Sequence, residues 1–162
     1  MRSLASGGSP VGTLLALDRV LEMAREMTGA RYAALAVMNA QRNGLDQFLT
    51  AGVDEDTRRA IGHHPRGRGV LGELILQPRP LRLADVRKHP SCYGFPRGHP
   101  LMRSFLGVPI MIHGQVWGSL HLADKDAGEF TDADEVQTVA LAAQAASTIT
   151  FEHRSNGKAA AG

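Results

Sequence analysis

Two His-Pro pairs, His89-Pro90 and His99-Pro100, stand ten residues apart in the run HPSCYGFPRGHPLMRSFLGVP. Proline fixes its own φ, so a histidine beside it sits on stiff backbone with a free imidazole. A neutral imidazole offers one ring nitrogen as a lone-pair donor, which suits His99 to ligate a buried iron or another metal. The plain alternative is a polar loop residue. His121 is the second candidate. In QVWGSLHLA, alternation places Trp117, Ser119, His121 and Ala123 on one face of a strand. A buried imidazole there needs a partner, which could be iron, an iron-bound ligand or a protein hydrogen bond.

Other signals carry less. Residues 67–72 match G-x-G-x-x-G, but no strand precedes them and no βαβ unit surrounds them, so the match reads as accidental. His63 and His64 are adjacent, point apart and lack an accompanying carboxylate or cysteine cluster. Cys92 is the only cysteine, which excludes an internal disulfide and makes a reducing, cytoplasmic home the default.

The elements that must position these residues follow from periodicity. Apolar residues at Leu14, Leu17, Leu21 and Ala24, widened by Val20 and Met27, give a helix from Thr13 that Thr28-Gly29 closes. Residues 32–38 and 46–51 read as strands joined by a turn at Asn43-Gly44. Asp54 caps a short helix ending near Ile61, and residues 70–76 form another. A brief strand at 81–83 and at most one helical turn at 84–88 lead into the His-Pro loop. Residues 105–112 and 115–123 are strands joined by a hairpin at His113-Gly114. Thr131 and Asp134 have capping-box spacing at the start of a last helix, with Val136, Val139, Ala140, Ala143, Ala146 and Thr150 marking one face. Residues 1–12 and 154–162 are expected to be flexible, leaving one domain at 13–153. The order predicts an α+β fold, an antiparallel sheet flanked by N- and C-terminal helices with a loop-lined pocket on one face.

A chain of 162 residues with 43% hydrophobic and 21% charged residues is an ordinary globular composition. No apolar run approaches the roughly 20 residues of a membrane span. The net charge of +2 is small, but ten of the cations fall between Arg58 and Arg103 against only Glu73 and Asp85. Aromatic residues do not interleave with this block, which points away from nucleic acid and toward anionic ligands, a partner or solvent.

FLGVPI, GQVWGSLHLADK and GEFTDADEVQTVALAAQAA, within residues 105–146, resemble a GAF domain. More narrowly, the chain is similar to the haem-binding GAF domains of mycobacterial hypoxia-sensing histidine kinases of the DevS/DosT type. That likeness lies in ARYAALAV from Ala30, GVDEDTRRAIG from Gly52, GRGVLGELI from Gly67 and PRPLRLADVRKHPSCYGFPRGHPLMRSFLGVP from Pro78. The resemblance implies a haem b cofactor with His99, in the second His-Pro pair, as the proximal iron ligand. The distal side of that family carries tyrosine in G-x-L-Y-L, whereas this chain reads Gly118-Ser119-Leu120-His121-Leu122. An imidazole at that place can hydrogen-bond a bound gas or coordinate the iron itself. The acidic and histidine residues of the family's first strand are replaced here by a run containing Ala36, Met38 and Asn39. Ala36, Phe105 and Leu120 are the candidate pocket lining, with Ala34 and Leu122, and Arg97 and Arg103 the candidate partners of the haem propionates.

The resulting expectation is a non-catalytic sensor of a diatomic gas (oxygen, nitric oxide or carbon monoxide) or of redox state. Its expected partners are a second copy, through alanine-rich faces of the terminal helices, and a histidine kinase or other signalling protein, with neither nucleic acid nor membrane. The alternatives are a small haem enzyme acting on a nitrogen or oxygen substrate, and a haem-free ligand-binding or interaction GAF domain. The signatures of bilin-binding, cyclic-nucleotide-binding and methionine-sulfoxide-reducing GAF domains are missing from the sequence.

Overall fold

The computed structural model describes residues 10–61, 70–92, 94, 95 and 97–159. Five strands form one antiparallel sheet: β1 (Ala30–Met38), β2 (Leu45–Ala51), β3 (Leu81–Leu83), β4 (Phe105–Ile112) and β5 (Gln115–Lys125), in the order β2-β1-β5-β4-β3. The helices are α1 (Pro10–Thr28), α2 (Glu55–Ile61), α3 (Val70–Leu76) and α4 (Asp132–Ala159), with a single 3-10 turn at Val86–Lys88. This is the expected α+β architecture. None of the described helices is long and apolar enough to cross a membrane.

Strand alternation sorts the sheet into two faces. Leu35, Val37, Leu106, Val108, Leu120 and Leu122 point to one side, where Leu17, Val20, Leu21 and Ala24 of α1 and Leu141, Ala142, Ala145 and Ile149 of α4 close a single aliphatic core. The other side is covered by α3 and by the crossover from β3 to β4, which carries both His-Pro pairs. β4 and β5 are joined by a two-residue turn in which His113 has φ 50° and Gly114 φ 76°. Two successive positive φ values match the right-handed twist of a hairpin.

The outer ends of the two terminal helices differ from expectation. α1 begins at Pro10, three residues before Thr13, because proline is tolerated in a first helical turn, where its missing N–H has no intrahelical partner to lose. α4 runs on to Ala159 rather than ending near His153, since each added residue of a formed helix gains one backbone bond.

The buried face of α4 also needs correcting. Val136 is 70% exposed, Val139 44%, and Ala140 and Ala143 are exposed as well. Thr138, Leu141, Ala142, Ala145, Ala146 and Ile149 face the core instead. The two stripes lie roughly 120° apart on a helix that turns about 100° per residue, and the one holding Leu141 and Ile149 buries more apolar area. The capping box is present. Asp134 N–H donates to Thr131 Oγ1 at 3.2 Å, and Thr131 N–H donates to Asp134 Oδ2 at 2.8 Å.

Candidate ligand site beneath the crossover

His121 lies at the centre of the sheet, on the face away from α1 and α4. Its neighbours in register are Ala34 on β1 and Gly107 on β4, and Ser119 lies opposite Ala36. Only 5% of the His121 surface is exposed, and its Nε2 has no hydrogen-bond partner among the described residues. Burial without a counter-charge pushes the imidazole pKa down to about 3, so the ring is neutral at physiological pH. A buried polar atom without a partner costs on the order of 1–3 kcal/mol, which makes this nitrogen the least settled group on the face.

The covering residues are aromatic and aliphatic. Phe105 is 6% exposed and stacks on His121 with centroids 6.0 Å apart and planes 24° apart. It forms a small cluster with Val86, against which Leu81, Leu83, Cys92, Phe95 and Met102 pack. Gly107 makes the arrangement feasible. A Cβ there would lie 2.7 Å from Leu74 Cδ1 and 2.9 Å from the Phe105 ring, so only glycine lets both side chains settle over the strand next to His121.

His99 is half-buried on the crossover. Its Nδ1 is 2.7 Å from the Pro100 carbonyl, and its ring stacks on Phe95 at 4.9 Å with planes 6° apart. The two candidate imidazoles are therefore linked through phenylalanines, His99 to Phe95 and Phe105 to His121, with Phe95 packed on the cluster that contains Phe105. His89 is engaged elsewhere. Its Nδ1 accepts from Ser91 N–H at 3.2 Å, while its Nε2 is 3.7 Å from Glu73 Oε2, which also accepts from Ser91 Oγ at 2.7 Å. That latch fastens the start of the crossover to α3.

Of the expected pocket residues, Ala36, Phe105 and His121 share the crossover face. Leu120 does not. It lies one residue along β5, so the pleat turns it into the aliphatic core with Leu35 and Val108, and Leu122 follows it there. Arg97 and Arg103 are exposed on the crossover, Arg103 donating its backbone N–H to Asp124 Oδ1 at 2.6 Å. Leu74, Val86 and Phe95 also belong to the covering layer. Phe95 was missed in the sequence, where an aromatic within a Gly/Pro-rich loop was the available signal, and nothing in the local pattern marked Leu74 or Val86. His63, His64 and residues 67–69 of the G-x-G-x-x-G run lie outside the described residues. Among those described, no three His, Cys, Asp or Glu residues gather as a metal-binding group.

A five-stranded antiparallel sheet with terminal helices on one face and a long crossover enclosing a polar atom on the other defines a class of ligand-sensing domains. The GAF domain family pattern matches residues 16–150, and the chain belongs to that family. In an alignment 95 residues long that covers 53% of this chain, the sequence is 33% identical to a phosphoenolpyruvate-dependent phosphotransferase system protein of Escherichia coli K12, of whose length it spans 13%. The GAF domain of a phosphoenolpyruvate-protein phosphotransferase from Coxiella burnetii superposes with a TM-score of 0.79 at 23% identity, covering 93% of this chain and 89% of that one. The corresponding domain from Acinetobacter gives 0.69 at 20% identity over 90% and 96%.

Proposed function

We propose that this GAF domain is a sensory module whose ligand site is the crossover-covered face of the sheet. Its ligand in this proposal is haem b, with His99 and His121 as the iron donors. The observation that supports this most is the buried, unpartnered Nε2 of the neutral His121 ring, which offers a lone pair in the Nδ1–H tautomer. At His99, the contact between Nδ1 and the Pro100 carbonyl leaves Nε2 as the free nitrogen, the pattern by which a carbonyl orients a ligating histidine. The donor chemistry therefore fits the group. When bound, haem iron would supply a site for oxygen, nitric oxide or carbon monoxide, each of which would have to displace the His121 imidazole. The chain's own residues fix the imidazoles, exclude water through Phe105, Leu74 and Val86, and offer the exposed Arg97 and Arg103 to carboxylates at about 0–1 kcal/mol each. Output runs through the terminal helices. The apolar outer positions Leu15 on α1 and Val136 and Val139 on α4 suit a homodimer that signals to a histidine kinase or comparable partner.

The stack of Phe95 on His99 favours a second reading, in which His99 is scaffold and a smaller organic ligand hydrogen-bonds His121 Nε2. The likeness to phosphotransferase-system proteins then suggests a module that tunes phosphotransfer within a longer protein. Titration with hemin separates the two, followed by the Soret band and by quenching of Trp117, the only tryptophan. The haem reading expects uptake of one equivalent, retained in His89→Ala and lost in His99→Ala. It also expects a low-spin ferrous spectrum that turns high-spin in His121→Ala. A wild-type protein that leaves the hemin spectrum unchanged eliminates haem.

A further inference from the structure

The route from this site to α4 is drawn by a set of short contacts at the end of the crossover. Ser104, only 4% exposed, immediately precedes Phe105, whose ring covers His121. Three hydrogen bonds lock it and its neighbour to the end of β5: Arg103 N–H to Asp124 Oδ1 at 2.6 Å, Asp124 N–H to Ser104 O at 2.9 Å, and Lys125 N–H to Ser104 Oγ at 2.9 Å. Asp124 takes a φ of 56°, a left-handed conformation that a non-glycine residue holds only when its surroundings enforce it. The next residue, Lys125, reaches out of the sheet and pairs through Nζ with Asp134 Oδ2 at 2.5 Å, their side chains 16% and 7% exposed. That same carboxylate oxygen accepts Thr131 N–H in the capping box that starts α4.

We infer that the Ser104–Lys125–Asp134 relay couples occupancy of the ligand site to the first turn of α4. The inference rests on the reading of the His121 face as the ligand site. A ligand that engages His121 must displace Phe105, and a shift of the Phe105 backbone is passed to Ser104 through the peptide bond they share. Ser104 Oγ is the acceptor that sets the backbone of Lys125. The ammonium of Lys125, held on a strained strand end, is in turn what neutralises the buried carboxylate on which the helix start depends. The alternative link, Arg82 to Asp132 at 2.7 Å, ends on a carboxylate that is 94% exposed, so it has little hold on the helix.

Hydrogen–deuterium exchange over residues 131–140 tests the relay in the full chain. Hemin should change exchange there by about fivefold or more in the wild type, the scale of an ordinary coupling free energy. Ser104→Ala should keep hemin binding and lose that change. A parallel arm needs no ligand. Phe105→Leu alone should alter exchange over residues 131–140, and in the Ser104→Ala background it should add nothing. A merely structural serine would give additive effects, and additivity overturns the relay. So does an unchanged hemin response in Ser104→Ala. A wild-type protein that takes up no hemin defeats the haem assignment, and the Phe105→Leu arm still decides the relay.

Discussion

Acid should weaken this domain through a single buried ring. The His121 pKa is pushed down from an ordinary 6.5 to about 3, because burial penalises the imidazolium and no carboxylate compensates. The unfolded chain takes up a proton at this position below pH 6.5, whereas the folded chain resists until about pH 3. Stability contributed by the neutral ring is therefore fully present above pH 6.5 and falls as pH drops from there toward 3. The difference in proton uptake corresponds to a loss of about 2 kcal/mol between pH 8 and pH 5, and about 4 kcal/mol by pH 3. The lowered carboxyls lose their contribution as pH falls through their ordinary value of 3.8, below the range of pH 5 to 8 in which the ring is compared. Asp134 is pushed up by burial, but its bonds from Lys125 and Thr131 outweigh that and leave it below the usual carboxylate range, and Asp54 and Asp85 are lowered too. Urea unfolding of the apo protein, read by Trp117 fluorescence at pH 5, 6, 7 and 8, measures the effect against His121→Phe, which cannot titrate. The stability gap between the two proteins should shift by about 2 kcal/mol in favour of the variant from pH 8 to pH 5, with similar urea slopes. Parallel pH curves would refute the argument, because they would mean that the ring is solvated or already paired.

Three further outcomes follow from the packing. Gly107→Ala forces a methyl against Leu74 and Phe105 and should cost about 1–3 kcal/mol in chemical unfolding, with Phe105 displaced from His121 in side-chain nuclear Overhauser contacts. Lys125→Met leaves the Asp134 carboxylate buried without its cation and should cost about 2–3 kcal/mol at pH 7, a loss that shrinks when acid neutralises Asp134. Val136→Glu sits on the outer stripe of α4 and should change stability by less than about 0.5 kcal/mol, while sedimentation shows loss of the proposed dimer.

Much of the architecture was legible because its signals are local. The hairpin at His113-Gly114, the 70–76 helix, the short 81–83 strand and the Thr131–Asp134 cap each depend on a few adjacent residues. The buried side of α4 was not legible in that way. Alanines at 140, 143, 145 and 146 satisfy either of two stripes, and only the sheet against which the helix packs selects Leu141 and Ile149. Leu120 was misplaced for a related reason. A run such as GSLHLA is apolar on both faces, so alternation separates Leu120 from His121 without saying which faces the helices. At the site, the residue types of His99 and His121 could be read from sequence. Their link through Phe95 and Phe105 could not, because it depends on how a crossover of irregular backbone folds over the sheet.

The division of the sheet explains why a destabilising histidine can persist at its centre. The helix-packed face gathers Leu35, Val37, Leu106, Val108, Ile110, Leu120 and Leu122 into one continuous aliphatic core, so cohesion does not depend on the crossover face. That second face is thin: Phe105, Val86 and Leu74 are large buried apolar residues there, set over small residues at Ala36, Gly107, Ser119 and Ala123. An unpaired Nε2 there costs on the order of 1–3 kcal/mol in the empty domain, and any ligand that supplies the missing bond recovers part of it. A group that binds only the folded state stabilises it in proportion to the logarithm of its concentration over its dissociation constant. The orphaned nitrogen therefore links site occupancy to the stability of the whole domain, whichever ligand completes it.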